Sequence, residues 1–176
     1  MTDSELGNLE TGVDTVGFLT GLLSGYEPSS ILREQAQNAD DACRKQGRTG
    51  RLWVSVEEHE IRIENPSILT DDDWRRLAKT SSRGKASDQN QTGEFGVGFW
   101  SVLHLTDAPI ITSGRRTVRI DQFSGIPAQF QPADEAIDGT RFVLPLRREP
   151  SPSGERLEVP PVSASMLRSL ENEFAS

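Results

Sequence analysis

The 176-residue sequence predicts an α+β fold, a two-layer α/β sandwich. Three observations carry this reading. Helical patterns crowd the first half of the chain, and alternating apolar strands crowd the second. The regular strand–helix alternation of a doubly wound parallel sheet is absent. At this length one domain with a core of its own is expected. Residues 1–14 read as a flexible N-terminus and 15–148 as the domain. Residues 149–176 read as a linker and a terminal helix, or the start of a further domain.

Each element has a local reason. Residues 16–28, "VGFLTGLLSGYEP", suit a short helix with Phe18, Leu19, Leu22 and Leu23 on one side and Gly25 ending it. "PSSILREQAQNADDACRKQG" begins a second helix, with Ser29 or Ser30 as N-cap and Gly47 as stop. Its apolar face is read as Leu32, Ala36, Ala39 and Cys43. "RLWVSVEE" and "EIRIEN" alternate as strands and fit a hairpin turning at Glu58 and His59. "TDDDWRRLAKT" is a helix capped by Thr70, with acids in its first turn and bases later, as the helix dipole prefers.

The polar "SSRGKASDQNQTG" reads as a loop, "VGFWSVLHLTD" as a helix, and "APIITSG" and "TVRIDQF" as strands turning at Gly114. A Gly/Pro-rich connection precedes a last strand, "GTRFVLPL". The stretch from 147 to 161 reads as poorly ordered, and "SASMLRSLENEF" as the terminal helix. Trp53, Trp74 and Trp100 are expected to pack, Cys43 to be a small buried hydrophobe, and His104 to be structural.

Composition narrows the function. With 27 acidic and 19 basic residues the net charge is −8. This argues against a nucleic-acid surface, which shows a basic stripe. A single cysteine suggests a reducing, cytoplasmic setting. Two distant histidines argue against zinc. No signal peptide is expected from the first residues, and no apolar run approaches the 18 or so needed to span a membrane.

Two features offer chemistry. "QTGEFGVGFW" spaces glycines at 93, 96 and 98 and enters a helix directly. Such a loop can bring amide N–H groups and a helix N-terminus against a phosphate. Read alone, it equally suits a glycine turn packed on a helix. It matches neither the P-loop nor the Rossmann fingerprint, because Phe99 and Trp100 follow Gly98. The second feature is Glu34, Asn38 and Asp41, which share a stripe of about 60° on the second helix. A carboxylate there can deprotonate a water, and an amide oxygen can take one Mg²⁺ position. A solvated helix face is the plainer alternative.

Taken together, the segments resemble a known family. "REQAQNADDA" resembles the N-box helix of the GHKL, or Bergerat-fold, ATPases. "TGEFGVGFWSVLHLTDAPIITSG" resembles their second glycine box, and "DGTRFVLPL" their late strand. "LAKTSS" is similar to the start of a chaperone lid. The match is nearest to the HtpG-type heat-shock chaperones and the sacsin-like branch, and runs from residue 16 to 146.

The resemblance implies a mostly antiparallel, mixed sheet covered on one face by helices, with a lid over residues 79–92. It also implies Mg²⁺-dependent ATP binding and slow hydrolysis by a conformational switch within a larger protein. Glu34 would be the general base, Asn38 the Mg²⁺ ligand, and Asp41 a neighbour of the ribose and base. Gly93, Phe95, Gly96, Val97, Gly98 and Phe99 would wrap the phosphates. Thr140 would hydrogen-bond near the adenine, with Lys79, Ser81 and Ser82 at the lid.

The family's Asp-x-Gly-x-Gly turn is altered here to "ENPSI", so either Glu64 or Asn65 would meet the base. Glu34 separates the chain from the histidine kinases, whose N-box lacks that carboxylate. Partners implied are ATP and ADP, other domains of a larger protein, and an ATP-dependent homodimer. The alternatives are a non-catalytic nucleotide-binding interaction module and a plain scaffold.

Overall fold

The structure is a computed structural model, and it describes residues 30–82, 97–120, 130–150 and 161–174. The helix expected over residues 16–28 lies outside the described residues. Six strands form one sheet: β1 (Trp53–Val56), β2 (Glu60–Asn65), β3 (Ile110–Ser113), β4 (Arg116–Arg119), β5 (Phe130–Pro132) and β6 (Thr140–Pro145). Their order is β1-β2-β6-β3-β4-β5, so the last strand in the chain sits near the centre. Every pairing among the described strands is antiparallel. Helices α1 (Ser30–Lys45), α2 (Asp71–Ser82) and α3 (Ala164–Phe174) and a 3-10 helix (Val97–His104) complete the described elements. The fold is an α+β sandwich, as the sequence predicts.

The strand alternation divides the sheet into a buried and an open face. Ile61, Ile63, Ile111, Val118, Phe142 and Leu144 are buried and join the core with Ile31, Leu32, Trp74, Leu77, Phe99 and Val102 of the helical layer. Ile63, Phe142, Ile111 and Val118 form one apolar row across four strands, because their registers coincide. At the end of the sheet the next row turns polar: Asn65 lies opposite Thr140, and Thr140 opposite Ser113.

Local signals explain the element ends. Gly47 has φ +65°, and its N–H reaches Arg44 O while Arg48 N–H reaches Cys43 O. These two bonds are a Schellman stop, which requires a residue tolerant of the left-handed region. Thr70 Oγ1 accepts from Asp73 N–H at 3.2 Å, and the Asp73 carboxylate accepts from Thr70 N–H at 2.8 Å. That reciprocal box starts α2. Arg116 of β4 donates to Asp71 in the same turn, fastening α2 to the sheet. This bond holds the Asp71 carboxyl below its ordinary range, so its stabilising contribution is present above the unfolded pKa and is lost as pH falls through the folded value. Ser163 caps α3 through Met166 N–H.

Four expectations are corrected. Trp53 is 51% exposed, because it alternates with Val54 and Val56 and projects from the open face. On α1 the buried side chains are Ile31, Leu32, Gln35, Ala39 and Cys43, while Ala36 is exposed. The buried arc of about 120° therefore centres between Gln35 and Ala39. The segment after Gly96 forms eight residues of 3-10 rather than α-helix. Gly98 and four β-branched or aromatic residues, Val97, Phe99, Trp100 and Val102, disfavour the α-helix. Arg147, expected in a disordered stretch, is 4% exposed.

Strand β5 has no sequence signal, being three residues long with a proline that only an edge strand tolerates. It is held by Phe130, which meets Trp74 edge-to-face with centroids 5.3 Å apart. Beyond β6 the chain stays on the domain: Val162 and Leu170 belong to the same core.

Gln35 is 3% exposed, and its Nε2 finds no acceptor among the described residues. A buried donor without a partner costs about 1–3 kcal/mol. Gln35→Leu, which keeps the volume and removes the amide, is expected to raise stability by about that amount in urea unfolding. A lower midpoint would show that the amide is satisfied in the folded chain.

Candidate functional site

The buried arc of α1 decides where its polar stripe lies. Glu34, Asn38 and Asp41 flank that arc and are all half-buried, where a wholly solvated face would leave them exposed. None of the three side chains makes a hydrogen bond or ion pair among the described residues. Their neighbours do: Asp40 pairs with Arg44 at 2.7 Å, and Gln46 and Arg48 are fully engaged. A carboxylate, an amide and a second carboxylate thus stand together, uncommitted, at the margin of the core.

The C-terminal end of α1 is fastened to the turn that follows β2. Gln46 donates to Ile68 O at 2.6 Å and accepts from Ile68 N–H at 3.0 Å. Arg48 donates to Pro66 O at 2.5 Å and pairs with Asp138 at 3.0 Å. The altered "ENPSI" turn is therefore held by side chains in place of the flexibility glycines would give it.

Inside the turn, Asn65 Oδ1 accepts from Ser67 N–H at 3.0 Å and lies 2.5 Å from Ser67 Oγ. A backbone N–H can only donate, so the atom facing it must be the amide oxygen. Asn65 is 7% exposed, and its Nδ2 makes no hydrogen bond among the described residues. A relay closes the turn from the sheet side. Leu69 N–H donates to Ser113 Oγ at 2.8 Å, Ser113 and Thr140 hydroxyls lie 2.8 Å apart, and Thr140 donates to Ser67 O at 2.7 Å. Gly139 permits this closeness, since a Cβ there would lie 2.3 Å from Asn65 O.

The structure separates the two residues between which the sequence left the turn open. Asn65 faces the helical layer beside Thr140. Glu64 faces the other side of the sheet and pairs with Arg141, its cross-strand neighbour. The phase of Ile61 and Ile63 was the signal for this, because residue 65 continues their alternation. Lys79, Ser81 and Ser82 fall in the last turns of α2, so the first residues of the expected lid are helical. Gly93, Phe95 and Gly96 lie outside the described residues, as do the remaining lid positions 83–92. Val97, Gly98 and Phe99 open the 3-10 helix. Phe99 is fully buried against Phe142, with centroids 5.6 Å apart, so only its backbone is available to a ligand.

Sequence reasoning missed Arg147. Its guanidinium donates to Asp107 at 2.7 Å and to the carbonyls of His104 at 3.1 Å and Leu103 at 2.5 Å. These are the last carbonyls of the 3-10 helix, the element that follows the glycine loop. A buried cation there satisfies orphan acceptors and the negative end of the helix together. No cluster of three or more His, Cys, Asp or Glu suited to a metal occurs among the described residues.

The chain matches the sacsin domain over residues 13–124. It belongs to the sacsin-domain family. Human sacsin is 31% identical over 126 residues, an alignment that takes in 64% of this chain and 3% of sacsin. The chain thus spans a small part of the length of that relative. The sacsin-domain match contains α1, the ENPSI turn, the glycine loop and the 3-10 helix. Thr140 and Arg147 lie beyond it, although β6 runs through the middle of the sheet. No described helix of this sacsin-family chain is long and apolar enough to cross a membrane.

Proposed function

We propose that this sacsin-domain chain binds Mg·ATP and hydrolyses it slowly, acting as a conformational switch among the other domains of a larger cytoplasmic protein. The observation that carries the reading is the uncommitted, half-buried trio Glu34, Asn38 and Asp41, on a helix whose far end is fastened to a buried polar turn. Glu34 holds and deprotonates the water that meets the terminal phosphate. Asn38 offers one oxygen to Mg²⁺; a lone amide suits that ion, which keeps waters and phosphate oxygens as its other ligands. When bound, the metal neutralises phosphate charge. Asp41, together with Asn65, borders the ribose and base. This reading assigns no arginine from a neighbouring domain to the phosphates, so turnover is slow. ADP is the product, and lid closure is the step that would bring two copies together.

One observation favours the second reading, a non-catalytic nucleotide-binding module. The base end of the pocket is stiffened by Gln46, Arg48, Ser113 and Thr140, and Asn65 presents only its Nδ2 donor. A donor there reads an acceptor on the base, so the choice between ATP and GTP is part of the test.

Calorimetric titration of wild type and Asn38→Ala with ATP, ADP and GTP, each with and without Mg²⁺, decides the matter. Binding that needs Mg²⁺ and is lost in Asn38→Ala is the expected result. Absence of binding to all three nucleotides would overturn the proposal.

A further inference from the structure

Strand β1 is an edge strand, and among the described residues nothing pairs with its outer side. The hairpin bond from Glu57 N–H to Glu60 O, at 2.9 Å, fixes which groups that side offers. Residues 53, 55 and 57 bond toward β2, so the N–H and C=O of Val54 and Val56 point outward. The strand carries no charge within "WVSV" and no proline, the two devices that usually blunt an edge. Its side chains divide cleanly. Leu52, Val54 and Val56 are partly buried against the core, while Trp53 and Ser55 are exposed on the open face. Trp53 is the exposed large hydrophobic side chain of the described residues.

We infer that a second copy of this chain docks here, with the two β1 strands pairing antiparallel about a two-fold axis through Val54. A two-fold contact must be complementary to itself, which makes the register testable on paper. With Val54 opposite the partner's Val54, the outward-pointing groups of 52, 54 and 56 bond one another. Leu52 then faces the partner's Val56, so the apolar rows of the two cores become continuous. On the open face Trp53 lies over the partner's Ser55, a residue small enough to leave the indole room. Arg51 faces the partner's Glu57, twice by symmetry.

Arg51 makes no bond among the described residues, and Glu57 has only Arg62 at 3.9 Å. Charge therefore favours this register. Moving two residues one way sets Trp53 against the partner's Glu57 and Leu52 against the partner's Glu58. Moving two residues the other way stacks the tryptophans but leaves Arg51 opposite the partner's Ser55. A four-residue edge covers little area, so the pair is a weak dimer. It needs no nucleotide, which separates it from the ATP reading.

The test is sedimentation of the whole chain, without nucleotide, over a concentration series up to about 1 mM, the range of weak association. Wild type is expected to self-associate. Arg51→Glu and Glu57→Arg should each weaken the dimer by about tenfold, two exposed ion pairs being replaced by like charges. The double variant should return to wild-type association. Within one chain residues 51 and 57 lie at opposite ends of the strand, so that rescue can arise only between copies. Val54→Pro removes an outward N–H and should abolish the dimer, while the exposed edge tolerates the ring. A wild type monomeric throughout, an Arg51→Glu variant that dimerises unchanged, or a double variant that fails to recover would each overturn the proposal.

Discussion

Glu34→Ala is expected to keep Mg·ATP affinity and to lose about 10²–10⁴-fold in hydrolysis, the usual contribution of a positioned general base. Retained binding follows from geometry. Glu34 is half-buried, its carboxylate makes no hydrogen bond among the described residues, and it lies outside the buried arc of α1. Truncating it leaves no orphaned partner and opens no cavity in the core. Loss of rate follows because Asp41, the other carboxylate of the stripe, lies about two helical turns, roughly 10 Å, along α1 and cannot reach the same water. The measurement is single-turnover phosphate release with calorimetric affinity on the same samples. Reduced turnover with unchanged affinity assigns the base, whereas a variant that hydrolyses at the wild-type rate removes Glu34 from the mechanism. If neither protein turns over and both bind, the non-catalytic module is the better description.

Arg147→Ala is expected to cost about 3–5 kcal/mol, the range for stripping one member from a buried charge network. The side chain is 2% exposed and serves Asp107 and the terminal carbonyls of the 3-10 helix. Its own backbone is engaged as well, from Arg147 N–H to Leu105 O and from Val162 N–H to Arg147 O. Truncation therefore leaves Asp107 and several carbonyls without their donor, at the point where β6, the 3-10 helix and the entry to α3 meet. Lysine should recover little, since a single ammonium cannot span acceptors that a planar fork reaches together. Urea unfolding should show a lower midpoint with an unchanged slope. A loss below about 1 kcal/mol would mean that water replaces the guanidinium, and that the clamp contributes little net stability.

Much of the local structure is legible without coordinates. The Thr70 box, the Gly47 stop, the hairpin at Glu58 and His59 and the turn at Gly114 each depend on residues within a few positions of one another. Those were read correctly. One corrected expectation and one open choice had a usable signal. Trp53 is in phase with Ser55 and out of phase with Val54 and Val56, which already marks it as outward-facing. Asn65 is in phase with Ile61 and Ile63, which marks it as inward and Glu64 as outward. For Trp53 the general tendency of tryptophan to pack points the other way, and for residues 64 and 65 the motif alignment leaves both open; the strand period separates them.

The sequence by itself therefore determined the α+β class, the ends of its main helices and hairpins, and the polar stripe of α1, because periodicity and capping are short-range. Only the tertiary structure decided that Gln35 takes a core position, that a three-residue β5 exists under Trp74, and that Arg147 clamps the 3-10 helix. Each of these depends on groups distant in the chain. Arg147 bonds to an aspartate 40 residues earlier and to backbone carbonyls, and a carbonyl carries no mark in the sequence. The closure of the ENPSI turn is of the same kind. Its ties come from Gln46, Arg48, Ser113 and Thr140, which meet only once the sheet order has placed β6 between β2 and β3.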